Sequence, residues 1–256
     1  MPLRRGLPPL KHIHRFFIKE QLLLGQTACL GADDSFHAAK VLRLRAGDRV
    51  EVAAGGGCVF DAVVTRVDGA SVGAVEIQAD REIPHQPSAG VELSVVQALP
   101  KGKKMDLVVE KLSELGVMEL VPVISEMSAA RMPSASSERP DRWRRIARAA
   151  AGQSRRDRVM KISAPLELPE WLEWNTLPLV VLATEVEGVP LGEMAASMGS
   201  PLALLVGPEA GFCGSEIEVL IARDASFATL GTLLLRTETA ALAAAAIIMH
   251  RWGVIG

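Results

Sequence analysis

Three stretches of the chain combine residue types and spacings that could do chemistry. The most informative is Gly207-Pro208-Glu209-Ala210-Gly211-Phe212-Cys213-Gly214, which follows the apolar run Leu202-Ala203-Leu204-Leu205-Val206. Ser215 and Glu218 form an S-x-x-E capping box, which predicts a helix starting just after Ser215. The eight residues from Gly207 to Gly214, three of them glycine, then form a turn in which main-chain N–H and C=O groups can approach a ligand closely. A tight turn with an ordinary helix cap would use the same residues. Two further loops sit in comparable places, Ala183-Thr184-Glu185-Val186-Glu187-Gly188 and Leu230-Gly231 running on to Arg236-Thr237-Glu238-Thr239. Neither G-x-G-x-x-G nor G-x-x-x-x-G-K-[ST] occurs, so dinucleotide fingerprints and P-loops are unsupported.

Charge supplies the second signal. From Glu138 to Lys161 the chain carries eight Arg and one Lys against Glu138, Asp141 and Asp157. Trp143, Ile146, Ala147 and Ala150 recur at helical spacing beneath them, giving a buried stripe under an arginine-rich face. Such a run can be a solvated face, but arginine also matches phosphate in bidentate geometry, which favours phosphate contact. Lys101, Lys103 and Lys104 open another helix, where cations oppose the helix dipole and need some other reason to be there. His37 and His250 have no triad partner at a recognisable position and read as structural. Cys29, Cys58 and Cys213 are scattered without a C-x-x-C pair, which argues against a disulfide scaffold and against a metal site.

These residues need elements to position them. Up to about residue 84 short strand-like runs dominate: HRFFI, DRVEVAA, CVFDAVVTRV and SVGAVEIQA, with turns at Gly55-Gly56-Gly57 and Asp68-Gly69. Asp33-Asp34-Ser35 could cap one short helix, FHAAKVLRL, and the set predicts a small β-barrel. REIPHQPSAG reads as a linker. Beyond it strands alternate with helices: VELSVVQAL, a helix ending at Gly116, MELVPVIS, a polar loop, the arginine helix, then RVMKIS, PLVVLAT, PLALLVG and ATLGTLLL. The final helix, TETAALAAAAIIMHRWG, has no polar face from Ala240 to Met249, so it should be buried on every side, by the sheet and a second subunit or entirely within one domain. Continuous apolar strands between helices predict a parallel sheet covered on both faces.

Composition narrows the class. With 49% hydrophobic and 23% charged residues the chain is a globular protein with a real core, not a disordered one. A net charge of −2 excludes a global basic field, so any polyanion would be met by a local patch. No signal peptide is expected, and Ala240–Met249 is too short to span a membrane, which together predict a cytoplasmic protein.

Four segments taken in order carry a resemblance: PKGKKMDLVVEKLSELGV, the arginine stretch ending AGQSRRDRV, LLVGPEAGF and LLLRTETAAL. Together with RFF and HAAKVLRLRAGDRV near the start, the chain resembles the RsmE family of 16S rRNA (uracil-N3)-methyltransferases, of the SPOUT class, from about Arg15 onwards. The resemblance implies an α/β fold: a SPOUT-type parallel sheet with a C-terminal trefoil knot over 85–256, preceded by a small PUA-like β-barrel RNA-binding domain over 1–84. It implies a homodimer that uses S-adenosylmethionine and acts on 16S rRNA or the small ribosomal subunit. Thr184, Gly207, Pro208, Glu209, Gly211, Leu230, Gly231, Leu235 and Thr237 should surround the cofactor. Arg236 should stabilise charge or position phosphate, with Glu209 and Glu238 as proton acceptors or structural carboxylates. Arg15, Arg43, Lys101, Lys103, Lys104, Ser154, Arg155 and Arg156 are the expected RNA contacts. Two positions depart from the family pattern: Ala210 stands where a glycine is usual, and Leu233 where an arginine is frequent. A SPOUT enzyme acting on another RNA position, or a non-catalytic ribosome-assembly factor, would share most of these features.

Overall fold

The structure is a computed structural model, and it describes residues 13–68, 74–84, 91–128 and 138–256. The extension before residue 13, most of the Asp68-Gly69 turn, the centre of the linker and the polar loop after Ser128 lie outside the described residues. The chain forms two compact units. One runs to Pro87 and includes Gly152–Arg158; the other holds Ser88–Ala151 and Val159–Gly256.

The first unit contains β1 (Arg15–Phe17), β2 (Thr27–Cys29), α1 (Ala32–Phe36), β3 (Arg49–Ala53), β4 (Val59–Val67) and β5 (Val75–Glu82). They form a curled five-stranded sheet in the order β1-β3-β4-β5-β2, antiparallel except for the β1–β3 pair. Period-two alternation places Val50 and Val52 of β3 and Val75, Ile77 and Ala79 of β5 in one core with Phe16, Phe60 and Val64. The helix begins earlier than its predicted cap: Asp33 and Asp34 lie in its first turn, and residues His37–Val41 continue it as a π-helical turn. Ser35 is no cap; its buried hydroxyl donates to the Leu30 carbonyl (2.9 Å) and accepts from the Val75 N–H (3.2 Å), tying α1 to β5.

The second unit contains, in order, β6 (Leu93–Ala98), α2 (Lys104–Glu114), β7 (Glu119–Ile124), α3 (Glu138–Gln153), β8 (Lys161–Ile162), β9 (Leu166–Glu167) and α4 (Leu168–Trp174). It continues with β10 (Leu179–Leu182), β11 (Val189–Pro190), α5 (Leu191–Ser197), β12 (Leu202–Val206), α6 (Gly214–Ala222), β13 (Ser226–Thr229) and α7 (Thr237–Arg251). The strands make one parallel sheet, ordered β11-β13-β10-β12-β6-β7-β8, with β9 also on β7. Leu93 and Val95 of β6 face a core built with α2, α3, α5 and α7, while Val96 and Ala98 face a second core built with α4 and α6. Both faces are covered, as continuous apolar strands require. A parallel α/β sheet preceded by a small β unit is the arrangement that the resemblance implies.

Several boundaries differ from the sequence reading. ATLGTLLL leaves the sheet at Thr229, and Leu233 and Leu234 are 77% and 84% exposed. RVMKIS contributes only Lys161–Ile162 to the sheet. The capping box of α6 is Cys213 with Glu216, two residues before the predicted pair, because Glu216 also accepts from Ser125 and from the Glu126 N–H. In α7, Ala241, Ala244, Ala245, Ile248 and Met249 are buried, while Leu242, Ala243, Ala246 and Ile247 are only half-buried.

The segment Gly152–Arg158, expected in the second domain, belongs to the first unit for an identifiable reason. Arg15 grips Glu51 through Nε (2.9 Å) and Nη2 (2.7 Å), and its Nη1 donates to the carbonyls of Arg155 and Arg156. The two side chains of this pair are 7% and 10% exposed. Removing one partner of a buried pair strands the other charge, so Arg15→Ala should lower stability by about 3 kcal/mol in urea unfolding. Hydrogen exchange in residues 152–158 should accelerate in the same variant, whereas an unchanged rate there would show that Arg15 does not hold the segment.

Candidate functional site

The register of three neighbouring strands builds the site. Leu182 pairs with Val206 on one side and with Ala228 on the other, so β10, β12 and β13 end level. The loops leaving them emerge side by side at the carboxyl edge, where open parallel sheets bind ligands. They enclose a cavity of about 310 Å³. Thr184, Gly207, Pro208, Glu209, Gly211, Leu230, Gly231, Leu235 and Thr237 all line it, as does Arg236. Leu182, Val206, Ala228 and Ala240 add apolar wall, and Glu185 and Phe212 also face it.

Tight backbone approach shapes the central turn. Gly211 has φ +76°, a left-handed conformation that favours glycine, and a Cβ there would lie 1.6 Å from Glu185 Oε1. A Cβ on Gly207 would meet the Phe212 ring at 2.9 Å. Gly207 is followed by proline, so their shared peptide has no N–H and can be anchored only through its carbonyl. Thr237 supplies that anchor, its hydroxyl donating to the Gly207 carbonyl at 2.6 Å. The same oxygen accepts from Gln97 Nε2 at 2.9 Å, and Gln97 Nε2 also donates to the Ala98 carbonyl at 3.0 Å. Because a carbonyl can only accept, Ala98 fixes which way the Gln97 amide points, and the amide then directs the Thr237 proton towards Gly207. Gln97 is fully buried. It was not singled out from the sequence, although a lone amide in the apolar strand LSVVQA was the available signal.

The lysines before α2 also find their reason. Lys104 Nζ lies 2.8 Å from Glu209 Oε1 and 3.4 Å from Glu238 Oε2, and the Lys101 N–H donates to Glu209 at 3.2 Å. Lys104 therefore clamps the turn after β12 and the first turn of α7 to one ammonium. Burial by itself raises the Glu209 carboxyl; the Lys104 ammonium and the N–H groups of Glu209 and Lys101 outweigh it and hold the group below the usual carboxylate value. The Glu209 hydrogen bond, with help from Glu238, raises Lys104 above the usual lysine value. Glu238 is buried and does not line the cavity. Both carboxylates are thus engaged as structural counter-ions, which disfavours the proton-acceptor role expected of them.

Arg236 is the N-cap residue of α7, one position before the predicted cap Thr237, whose hydroxyl is committed to Gly207. Its guanidinium is exposed, and it carries no ion pair among the described residues. In the second unit Lys101 and Lys103 are exposed as well. On α3, Arg142 pairs with Asp106 and Arg144 with Asp141, both at 2.7 Å, so part of the arginine face is neutralised. In the first unit Arg43 and Arg155 are exposed, both with φ +56°, and Ser154 is half-buried. Arg15 and Arg156 are not on the surface expected of RNA contacts. Arg15 is spent on Glu51, and Arg156 is 6% exposed, its burial pushing the guanidinium down to about 10.

Residues 87–249 match the RNA methyltransferase domain family, and residues 30–73 match the RNA methyltransferase PUA domain. The chain belongs to the RNA methyltransferase family. Among members, a ribosomal RNA small subunit methyltransferase E of Mycobacterium bovis is 30% identical over 89% of both chains. The protein of that name from Bacillus subtilis is 27% identical over 93% of this chain and 97% of its own. A crystal structure of the Neisseria gonorrhoeae methyltransferase E, bound to S-adenosyl methionine, superposes with a TM-score of 0.80 at 28% identity, covering 93% of this chain and 98% of the other. This methyltransferase is thus of the RsmE type.

The clamp has a pH signature. Since Glu209 is held low, its contribution is present above the ordinary carboxylate value and is lost as pH falls through the depressed one. In Lys104→Met the burial remains with only the N–H groups of Glu209 and Lys101 against it, so the Glu209 carboxyl should titrate higher than in the wild type. Carbon-13 NMR titration of that carboxyl reads this directly; a curve like that of the wild type would show that Lys104 does not set it.

Proposed function

We propose that this methyltransferase transfers a methyl group from S-adenosylmethionine to N3 of a specific uridine in 16S rRNA, presented free or within the small ribosomal subunit. The observation that carries the reading is the convergence of three level loops on one cavity. Its residues suit the cofactor: apolar wall from Leu182, Val206, Leu230 and Leu235 for a flat base, main-chain groups of the glycine turn for its edges, and the Glu185 carboxylate for hydroxyl or ammonium donors. Its volume falls within the range of small-molecule sites, roughly 300–1,000 Å³. Bound there, S-adenosylmethionine supplies an electrophilic methyl group on a sulfonium.

The chain's own residues do the rest. The Gln97–Thr237–Gly207 relay holds the turn that shapes the cofactor's seat. Uracil N3 carries a proton, which passes to solvent water as the methyl group arrives; Arg236, a cation at the cavity wall, stabilises the anion that develops or fixes an adjacent phosphate. Arg43, Arg155, Lys101 and Lys103 are exposed cations suited to the RNA backbone. The half-buried face of Leu242, Ala243, Ala246 and Ile247 supports a homodimer in which a second copy covers α7. Among the described residues no helix is long and apolar enough to cross a membrane, in keeping with a cytoplasmic enzyme. The trefoil knot remains part of this reading through the family, as do the domain limits 1–84 and 85–256 apart from Gly152–Arg158, which packs with the first unit.

Two variants test it. Gly211→Val forces a β-branched residue into a left-handed backbone and towards Glu185, so calorimetry should find S-adenosylmethionine affinity at least about tenfold weaker, about 1.4 kcal/mol. Unchanged affinity in the folded variant would remove this turn from the cofactor site. Arg236→Ala should slow methyl transfer to 16S rRNA by at least about a hundredfold, about 2.7 kcal/mol, with cofactor affinity and thermal stability near wild type. Near-normal turnover would eliminate Arg236 from catalysis.

A further inference from the structure

The first unit carries a face that neither the cofactor cavity nor the fold accounts for. Of the six phenylalanines, Phe16, Phe17, Phe60 and Phe212 are buried and Phe227 is half-buried, but Phe36 is 52% exposed. It ends α1, and the chain widens directly after it into the π-helical turn His37–Val41, closed by the Leu42 N–H on the His37 carbonyl (2.9 Å). In a turn of this width, residues four and five apart share a face, so Lys40 and Val41 lie beside Phe36. Both are exposed, Val41 at 59%, while Ser35 and Ala38 on the opposite side are buried. Arg43 follows with φ +56°, a strained backbone for a residue with a Cβ, and Arg45 is exposed beyond it.

The cations of this face differ from the other arginines of the unit. Arg49 pairs with Asp61 and Asp80, Arg66 with Asp68 and Glu76, and Arg81 with Asp61. The side chains of Lys40, Arg43 and Arg45 have no carboxylate partner among the described residues. Asp33 and Asp34 lie at the other end of the helix, in its first turn, where the helix dipole favours them. An aromatic ring held in water, a widened turn, a left-handed arginine and three unpaired cations are each unfavourable alone. They become favourable together when a flat ring stacks on Phe36 and phosphates meet the cations.

We propose that Phe36, with Lys40, Arg43 and Arg45, is a docking surface for single-stranded RNA, in which Phe36 stacks on an unpaired base and the three cations hold the flanking phosphates. A duplex keeps its bases stacked on one another and offers no free face to Phe36, so this surface selects an unpaired segment. The inference rests on the RNA-substrate reading above and adds to it which RNA form the first unit recognises.

The test uses the full chain and a fluorescein-labelled oligoribonucleotide rich in uridine, single-stranded or annealed to its complement, followed by polarisation over a range of salt. Phe36→Ala should weaken single-strand binding about tenfold, leave duplex binding and the salt slope near wild type, and be rescued by Phe36→Trp. Arg43→Gly should lower the salt slope by about one counterion while raising Tm, because glycine relieves the left-handed strain. The proposal is overturned if both variants bind the single strand as the wild type does, if Phe36→Ala weakens both RNA forms equally, or if tryptophan fails to rescue. A loss of self-association in Phe36→Ala with RNA binding intact would assign the surface to a second copy of the chain instead. A wild-type protein that binds neither RNA form would overturn the RNA reading itself, a result distinct from these.

Discussion

The site depends on three strands of unequal origin ending at the same level. Leu182 is paired with Val206 and with Ala228, and that register alone decides that three loops from separate parts of the chain face one another. In a parallel sheet every strand's carboxyl end points the same way, so register, rather than loop sequence, sets whether the loops can share a ligand. A slip of one residue would turn the buried Leu204 and Val206 side chains to the opposite face. The apolar cores on both faces of the sheet therefore protect the geometry of the site at its carboxyl edge.

Above that frame the site is fastened by a few polar contacts, and each joins distant segments. The amide of Gln97 on β6 reaches the start of α7, whose threonine reaches the turn after β12. Lys104 at the start of α2 joins the same two places from another direction. Hydrogen bonds shielded from water are strong when satisfied and costly when broken, so this network resists deformation although it is small. One exposed cation, Arg236, stands at the edge of this fastened region and is itself unpaired among the described residues. Rigid support beneath a free guanidinium suits a group that must meet charge only when the substrate arrives.

Much of this was legible in the amino-acid sequence, for physical reasons that can be named. Runs such as LALLV and LVVL are buried on both faces and admit no other reading once helices flank them. The glycines at 207, 211 and 231 marked the loops, because backbone approach and positive φ restrict residue type locally. What stayed hidden was pairing across long separations. Nothing near Gln97 announces Thr237, and nothing near Arg15 announces the carbonyls of Arg155 and Arg156. Composition also misled: Leu233 and Leu234 look like strand residues, yet they line the cavity loop, and Ser215 lost the cap to Cys213 because Glu216 had further donors to satisfy. Arginine-rich sequence likewise does not distinguish a guanidinium in water from one sealed beside Asp157, as Arg156 is.

The relay to Gly207 also bears on the order in which the protein comes into being. It runs from Gln97 in β6, near the start of the second unit, through Thr237 in α7, the last helix, to the Gly207 carbonyl. During synthesis the glycine turn leaves the ribosome before Thr237 does, and the Gly207–Pro208 peptide then has no hydrogen-bond partner to orient it. A chain that stops short of α7 lacks both the Thr237 hydroxyl and the α7 side chains of the core built with α2, α3 and α5. Domains generally fold as units once enough chain has emerged, and contacts of high sequence separation form late. The turn that lines the cavity is therefore complete only when the last helix has been made.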